Sequence, residues 1–210
     1  MNNSFFKAAI LEKIKSNLKI KKLKLKNPQK NQILIKLKYS GVCRSQIMEI
    51  TGGRNNKKWL PHLLGHEGSG IVIDTGKDVK KVKKNDTVVL TWIKSHGIEA
   101  GGTIYCSDEH QINGGGVTTF NEFAVVSENR CVIIPRSIPM DIAALFGCAV
   151  LTGSGIIKNT IDPNDGTDIA IFGLGGIGIS AMAATKLYPL KNIFAVDVIP
   201  ERLEMAKEFG

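Results

Sequence analysis

The stretch 168–197 constrains this chain more than any other. Residues 168–172 (Asp168-Ile169-Ala170-Ile171-Phe172) read as a buried parallel strand, followed at once by Gly173-Leu174-Gly175-Gly176-Ile177-Gly178. Residues 179–187 then read as a helix, and Asn192–Val196 as a second strand ending at Asp197. A lone Gly-x-Gly-x-x-Gly says little; between a strand and a helix each glycine has a task. Gly173 permits the tight turn, Gly175 lets backbone approach a pyrophosphate, and Gly178 lets the helix pack closely on the strand. The helix N-terminus adds free amides and partial positive charge for phosphates, and Gly176 lies in this candidate cofactor-binding turn. Asp197 stands 24 positions after Gly173. A carboxylate there can accept from both adenosine ribose hydroxyls and repels a 2′-phosphate, which favours NAD over NADP. Arg202, just downstream, either helps to hold the ribose or is a solvated helix residue.

What precedes this unit has a different rhythm. From about residue 5 to 135, short Ile- and Val-rich runs (33–39, 70–74, 87–92, 122–126 and 131–134) alternate with turn signals such as Asn27-Pro28, Gly52-Gly53 and Asn113-Gly114-Gly115-Gly116. That pattern predicts an all-β barrel or sandwich. Residues 140–146 and 150–157 suggest two helices around Gly147-Cys148, and 200–209 a last one. The predicted whole is an α/β chain with an N-terminal β domain (1–150) and the first part of a doubly wound nucleotide domain (151–210). One β-α-β unit and a helix make roughly half of such a sheet, so the sequence is expected to be the N-terminal part of a longer chain.

Charge invites another reading, because the chain carries a formal +9, with ten lysines between Lys13 and Lys38 and no acid among them. Those lysines alternate with Leu18, Ile20, Leu23, Leu25, Ile33, Ile35 and Leu37, the period of half-buried strands with solvated outer faces. Stacking aromatics and motif arginines are missing from the region, which argues against nucleic acid as a partner. No apolar run approaches the ~18–20 residues of a membrane span. The apolar start at residues 5–11 is too short and too charged for a signal peptide, so a cytoplasmic protein without membrane contact is expected.

Four cysteines, at 43, 106, 131 and 148, show no disulfide framework spacing, and in such a chain they read as free thiols or metal ligands. Three possible ligands sit beside glycines: Cys43 in Gly41-Val42-Cys43-Arg44-Ser45, His66 in Gly65-His66-Glu67-Gly68, and Cys148 after Gly147. One imidazole and two thiolates complete three corners of a tetrahedral metal site and leave the fourth for substrate. Separations of 23 and 82 positions do not establish that they meet.

Taken in order, Gly-Val-Cys-Arg-Ser, Leu-Gly-His-Glu-Gly-Ser-Gly, Gly-Cys-Ala-Val-Leu-Thr-Gly and Ile-Phe-Gly-Leu-Gly-Gly-Ile-Gly resemble the signature blocks of the zinc-containing medium-chain dehydrogenases, including their separation. The second half is especially similar to the S-(hydroxymethyl)glutathione dehydrogenase branch. The resemblance spans nearly the whole chain and implies a GroES-like catalytic domain followed by a Rossmann domain. It also implies that Cys43, His66 and Cys148 bind one catalytic zinc, and that Glu67 can approach the metal and alter its coordination. By the same resemblance Arg44 meets the cofactor pyrophosphate, Ser45 passes the alcohol proton outward, and Thr152 and Ile177 pack near the nicotinamide. The implied chemistry is hydride transfer between an alcohol, or an aldehyde or ketone in reverse, and NAD. A homodimer or higher assembly is implied for the complete enzyme.

Three departures qualify that pattern. Gln46 stands where relatives commonly carry an aspartate that orients the zinc-bound histidine; an amide accepts a hydrogen bond but brings no charge. Met48 replaces a relay histidine. The lobe that usually holds four cysteines for a structural zinc has only Cys106, so one zinc is expected rather than two. His62, His96 and His110 read as surface loop residues, Cys106 and Cys131 as plain loop and strand residues, and Trp59 and Trp92 as pocket wall or core. Two other readings stay open: a zinc-free quinone-reductase-like member, and an inactive truncated fragment that turns over slowly or not at all. Substrate identity is not legible.

Overall fold

The computed structural model describes residues 4–55, 57–107 and 110–209; the Met1 start and the stop at Gly210 lie outside them. Two compact units, Met1–Gly147 and Cys148–Gly210, divide the chain three residues before the boundary expected from sequence.

The first unit is built on two five-stranded sheets. One runs in the order β2 (Lys19–Lys24), β1 (Phe5–Leu11), β4 (His62–Leu63), β8 (Gln111–Asn113), β7 (Ile104–Cys106). The other runs β10 (Cys131–Ile133), β6 (Thr87–Thr91), β5 (Glu67–Thr75), β3 (Gln32–Ser40), β9 (Phe123–Ser127). Phe6, Ile10, Leu23, Leu63, Tyr105 and Ile112 of the first sheet pack with Leu34 and Val125 of the second in one core. Phe6 meets Tyr105 and Phe123 edge to face, at 5.6 and 6.1 Å between ring centres. The opposite side of the second sheet has its own core, where Ile33, Ile35, Val72, Val88, Leu90 and Val126 meet.

Strand β3 shows why its sequence departs from simple alternation. It lies between β5 and β9, and both of its faces are covered, so 32–35 are buried without a break. The expected solvated face begins only at Lys36, where Lys36 and Lys38 are exposed. Edge strand β2 presents Lys19, Lys22 and Lys24 to solvent, which blunts the edge against pairing with another chain. Ile20 was expected on the inner face of this strand and instead stands exposed.

Helix α2 (Met140–Ala144) lies near the end of the first unit, and the second opens with α3 (Ala149–Gly155) and a π-helical turn, Ile156–Ile161. Parallel strands β11 (Asp168–Phe172) and β12 (Asn192–Val196) pair residue for residue from Asp168↔Asn192 to Phe172↔Val196. Helices α4 (Gly176–Thr185) and α5 (Pro200–Lys207) follow them. Ile169, Ile171, Leu174, Ala181, Met182 and Ala206 form its core. The doubly buried strand expected at 168–172 alternates instead, with Ile169 and Ile171 covered and Phe172 78% exposed. Among the described residues only one face of this small sheet is packed.

Candidate metal and nucleotide sites

Cys43 ends the loop after β3 and is the N-cap of α1 (Arg44–Thr51), a helix absent from the sequence expectation. Its signals were present. Gln46, at the third helical position, returns its side chain to the cap, with Oε1 accepting the Cys43 N–H at 3.0 Å. At the other end Gly52 closes the helix in a left-handed conformation, and Gly52 and Gly53 donate to Glu49 and Met48 carbonyls. Only Ser45 and Gln46 of this helix are buried, and both side chains point at His66.

His66 follows Gly65, whose φ of +86° makes the turn into β5 available to glycine and strained for other residues. The Nδ1 atom of His66 lies 2.6 Å from Gln46 Nε2 and 3.4 Å from Ser45 Oγ. Its Nε2 atom is buried without any hydrogen-bond partner. Burial pushes the His66 pKa below its ordinary value; the Glu49 charge works against this and the Arg54 charge with it. The ring is therefore held neutral, the form in which an imidazole ligates a metal.

Glu67 begins β5 and is 3% exposed. Gly147 packs on it so closely that an ideal Cβ at that position would lie 2.7 Å from Glu67 Cα. Thr91 Oγ1 donates to the Gly147 carbonyl at 2.8 Å. Gly147 is thereby pinned to the strands, and the next residue, Cys148, is positioned through one peptide bond. Cys43, His66, Glu67 and Cys148 each offer a ligand atom, and these atoms all lie within 4.8 Å of one another. An orphaned, buried imidazole nitrogen in a set of two thiols and a carboxyl suits a divalent metal of borderline softness.

Arg44 is exposed at the start of α1, and Ser45 is 9% exposed. In the second unit Thr152 is half-buried on α3, with Oγ1 donating to the Cys148 carbonyl at 2.8 Å. Gly173 adopts φ +87°, as a tight turn after β11 requires. Gly178 meets Gly173 O and has room for no side chain, whereas a Cβ on Gly175 would point into open space. Gly176 starts α4, and Ile177 beside it is 48% exposed. The Asp197 carboxylate is already engaged within the chain. Its Oδ2 accepts the Leu174 N–H at 2.6 Å, its Oδ1 accepts the Ile199 N–H at 2.9 Å, and Arg202 stands 3.4 Å from Oδ2. The Leu174 amide above all, then Ile199 and Arg202, hold its pKa below the ordinary value against desolvation. Arg202 is thus an ion-pair partner of Asp197.

Other residues sit differently from expectation. His62 is no surface loop histidine: it lies in β4, half-buried, with Nε2 3.7 Å from Glu49 and Nδ1 3.1 Å from the Asn113 carbonyl oxygen. With Arg54 and Trp59 these residues line a cavity of about 460 Å³ in the first unit. The sequence signal for it was weak, since Glu49 and Arg54 are near neighbours but His62 and Asn113 come from separate strands. Trp59 and Trp92 are both about half exposed, which rules out the core role for each. Cys106 lies in β7 rather than in a loop, and Cys131 is a buried strand residue whose thiol pKa desolvation pushes up to about 12. His96 and His110 are exposed.

Comparison with known proteins agrees with this picture. The chain is 30% identical over 218 residues to S-(hydroxymethyl)glutathione dehydrogenase of Photobacterium damsela subsp. piscicida, covering 92% of this chain and 59% of that protein. An alcohol dehydrogenase zinc-binding domain protein from Burkholderia ambifaria superposes with a TM-score of 0.86 at 25% identity, over 100% of this chain and 63% of that one. Benzyl alcohol dehydrogenase from Acinetobacter calcoaceticus gives a TM-score of 0.83 at 26% identity, over 99% and 62%. The chain therefore spans about three fifths of the length of these relatives. The alcohol dehydrogenase GroES-like domain model matches residues 29–136, just over half of the chain. With that match resting on the unit that carries Cys43, His66 and Glu67, the chain belongs to the alcohol dehydrogenase family with a GroES-like domain.

Proposed function

We propose that this chain carries the metal centre and the first nucleotide-binding elements of a zinc-dependent oxidoreductase that moves a hydride between a small alcohol and NAD. One observation carries the reading: Cys43, His66, Glu67 and Cys148 offer ligand atoms within 4.8 Å of one another, although 105 positions separate the first from the last. Cys43, His66 and Cys148 would hold the ion, with Glu67 adjacent as an exchangeable fourth ligand. Zinc bound there would supply a Lewis acid for the alcohol oxygen, and NAD the hydride acceptor.

The chain's own residues account for the remaining work. Ser45 Oγ, at the buried face of α1, takes the proton from the alcohol hydroxyl. With Met48 in the next turn no side-chain relay follows in this helix, so water carries the proton onward. Gly173 and Gly178 shape the turn, and the open space at Gly175 leaves the α4 amides accessible to a pyrophosphate. Asp197, held ionised, repels a 2′-phosphate and selects NAD. Arg44 serves the pyrophosphate, and Thr152 and Ile177 the nicotinamide. Among the described residues no single helix is long and apolar enough to cross a membrane. A cytoplasmic enzyme assembling as a homodimer or higher belongs to the same proposal.

Metal analysis of the purified chain tests the reading. It predicts about one zinc per chain, lost in Cys43→Ser and in Cys148→Ser. A metal-free wild type after purification in zinc-supplemented buffer would instead favour the zinc-free quinone-reductase type.

A further inference from the structure

Two donors compete for one oxygen on Gln46. Its side chain is 2% exposed and cannot turn to water. Oε1 accepts the Cys43 N–H at 3.0 Å, which directs Nε2 to within 2.6 Å of His66 Nδ1. An amide nitrogen only donates, so Nδ1 must accept and the ring proton must sit on Nε2, the buried atom without a partner. A metal on Nε2 needs the opposite tautomer, with the proton on Nδ1 and an acceptor facing it. Rotating the amide supplies that acceptor but sets its nitrogen against the Cys43 N–H. With the ring proton on Nδ1, one donor is therefore left facing another in either amide orientation. Ser45 Oγ, at 3.4 Å from Nδ1, is too distant to replace the lost bond in full.

We infer that Gln46 is a positioning residue that holds metal-free His66 in the Nε2-protonated tautomer and so limits how tightly the site retains its ion. The inference rests on the zinc reading above and concerns this chain's own departure from a carboxylate at this position. A carboxylate in the same place offers two acceptor oxygens, one for the Cys43 N–H and one for His66 Nδ1–H. It also lies in the first turn of α1, where a negative charge is favoured.

Nitrogen NMR of the histidine-labelled, metal-free chain reads the tautomer directly. The expected result is Nε2–H for His66 in the wild type and Nδ1–H in Gln46→Glu. In chelator competition at one pH, Gln46→Glu should bind zinc roughly 10–100-fold more tightly than the wild type, the scale of effects of groups behind metal ligands. Wild-type His66 protonated on Nδ1 would overturn the inference whether or not the variant folds; equal zinc affinity in the two proteins would overturn it as well. If neither protein binds zinc, the proposed function fails, and the tautomer still decides what Gln46 does.

Discussion

Gly147→Ala places one methyl group at the point where the strands and the metal cluster meet. An ideal Cβ at this position would lie 2.7 Å from both Cα and Cβ of Glu67, with the Leu90 carbonyl oxygen closer still. Ordinary contact begins at 3.4 Å, so the backbone must yield by about 0.7 Å at Glu67 and by more at the Leu90 oxygen. Two of the three obstacles are backbone atoms of β5 and β6, which cannot move aside by changing rotamer. The cost belongs at the upper end of the overpacking range, about 3 kcal/mol. The effect on the ligands is more diagnostic. Metal–ligand distances tolerate about 0.2 Å, so the displacement of Cys148 or Glu67 exceeds the tolerance several-fold. Zinc affinity should fall at least ~10-fold, as when a supporting group is lost. Denaturant unfolding with and without zinc, together with chelator competition, measures both effects. A variant as stable as the wild type and with unchanged zinc affinity would refute the reasoning from Gly147 to the site.

Gly175→Ala is the complementary perturbation: its φ of −69° and open surroundings should leave stability within about 0.5 kcal/mol and zinc affinity unchanged, while NAD binding by calorimetry falls. Tyr105→Phe strands the buried Val125 N–H, which now donates to the phenol oxygen at 2.8 Å, and should cost about 1–3 kcal/mol in urea unfolding. For Glu99, desolvation opposes ionisation, but Lys94, Ser127, Arg130 and the Gly101 N–H outweigh it and hold the carboxyl at about 2, against 4.5 when unfolded. Its folded-state pKa is lowered, so its contribution is complete above pH 4.5 and is lost as the pH falls from 4.5 through 2; unfolding midpoints for Glu99→Gln should lack this part of the acid slope.

Local pattern carried much of the fold into view. The glycine turn after 172 was legible because Gly173 and Gly178 meet within the turn itself, and the strand at 192–196 because its Ile-Phe-Ala-Val run favours extended backbone. Helix α1 is equally local, yet Gly52-Gly53 in the sequence signals a turn between strands as well as the helix cap that it forms. Strand β3 and residues 168–172 mark the limit of pattern reading. How many faces of a strand are covered depends on neighbours distant in sequence, and here the sequence period misled in both directions.

From sequence alone came the glycine turn between strand and helix, the basic but solvated strands, and three residues of metal-ligand type, because backbone conformation and periodicity follow from adjacent residues. Only the tertiary structure brought Cys43, His66 and Glu67 into one cluster with Cys148, withdrew His66 Nε2 from solvent, engaged Asp197 with the Leu174 amide of the glycine turn, and turned the Gln46 amide toward His66. Each of these depends on segments that meet only after the chain has folded. Spacing along a sequence does not encode a distance through space, so the residues themselves left open whether these groups meet, and only the family resemblance implied the shared ligand set.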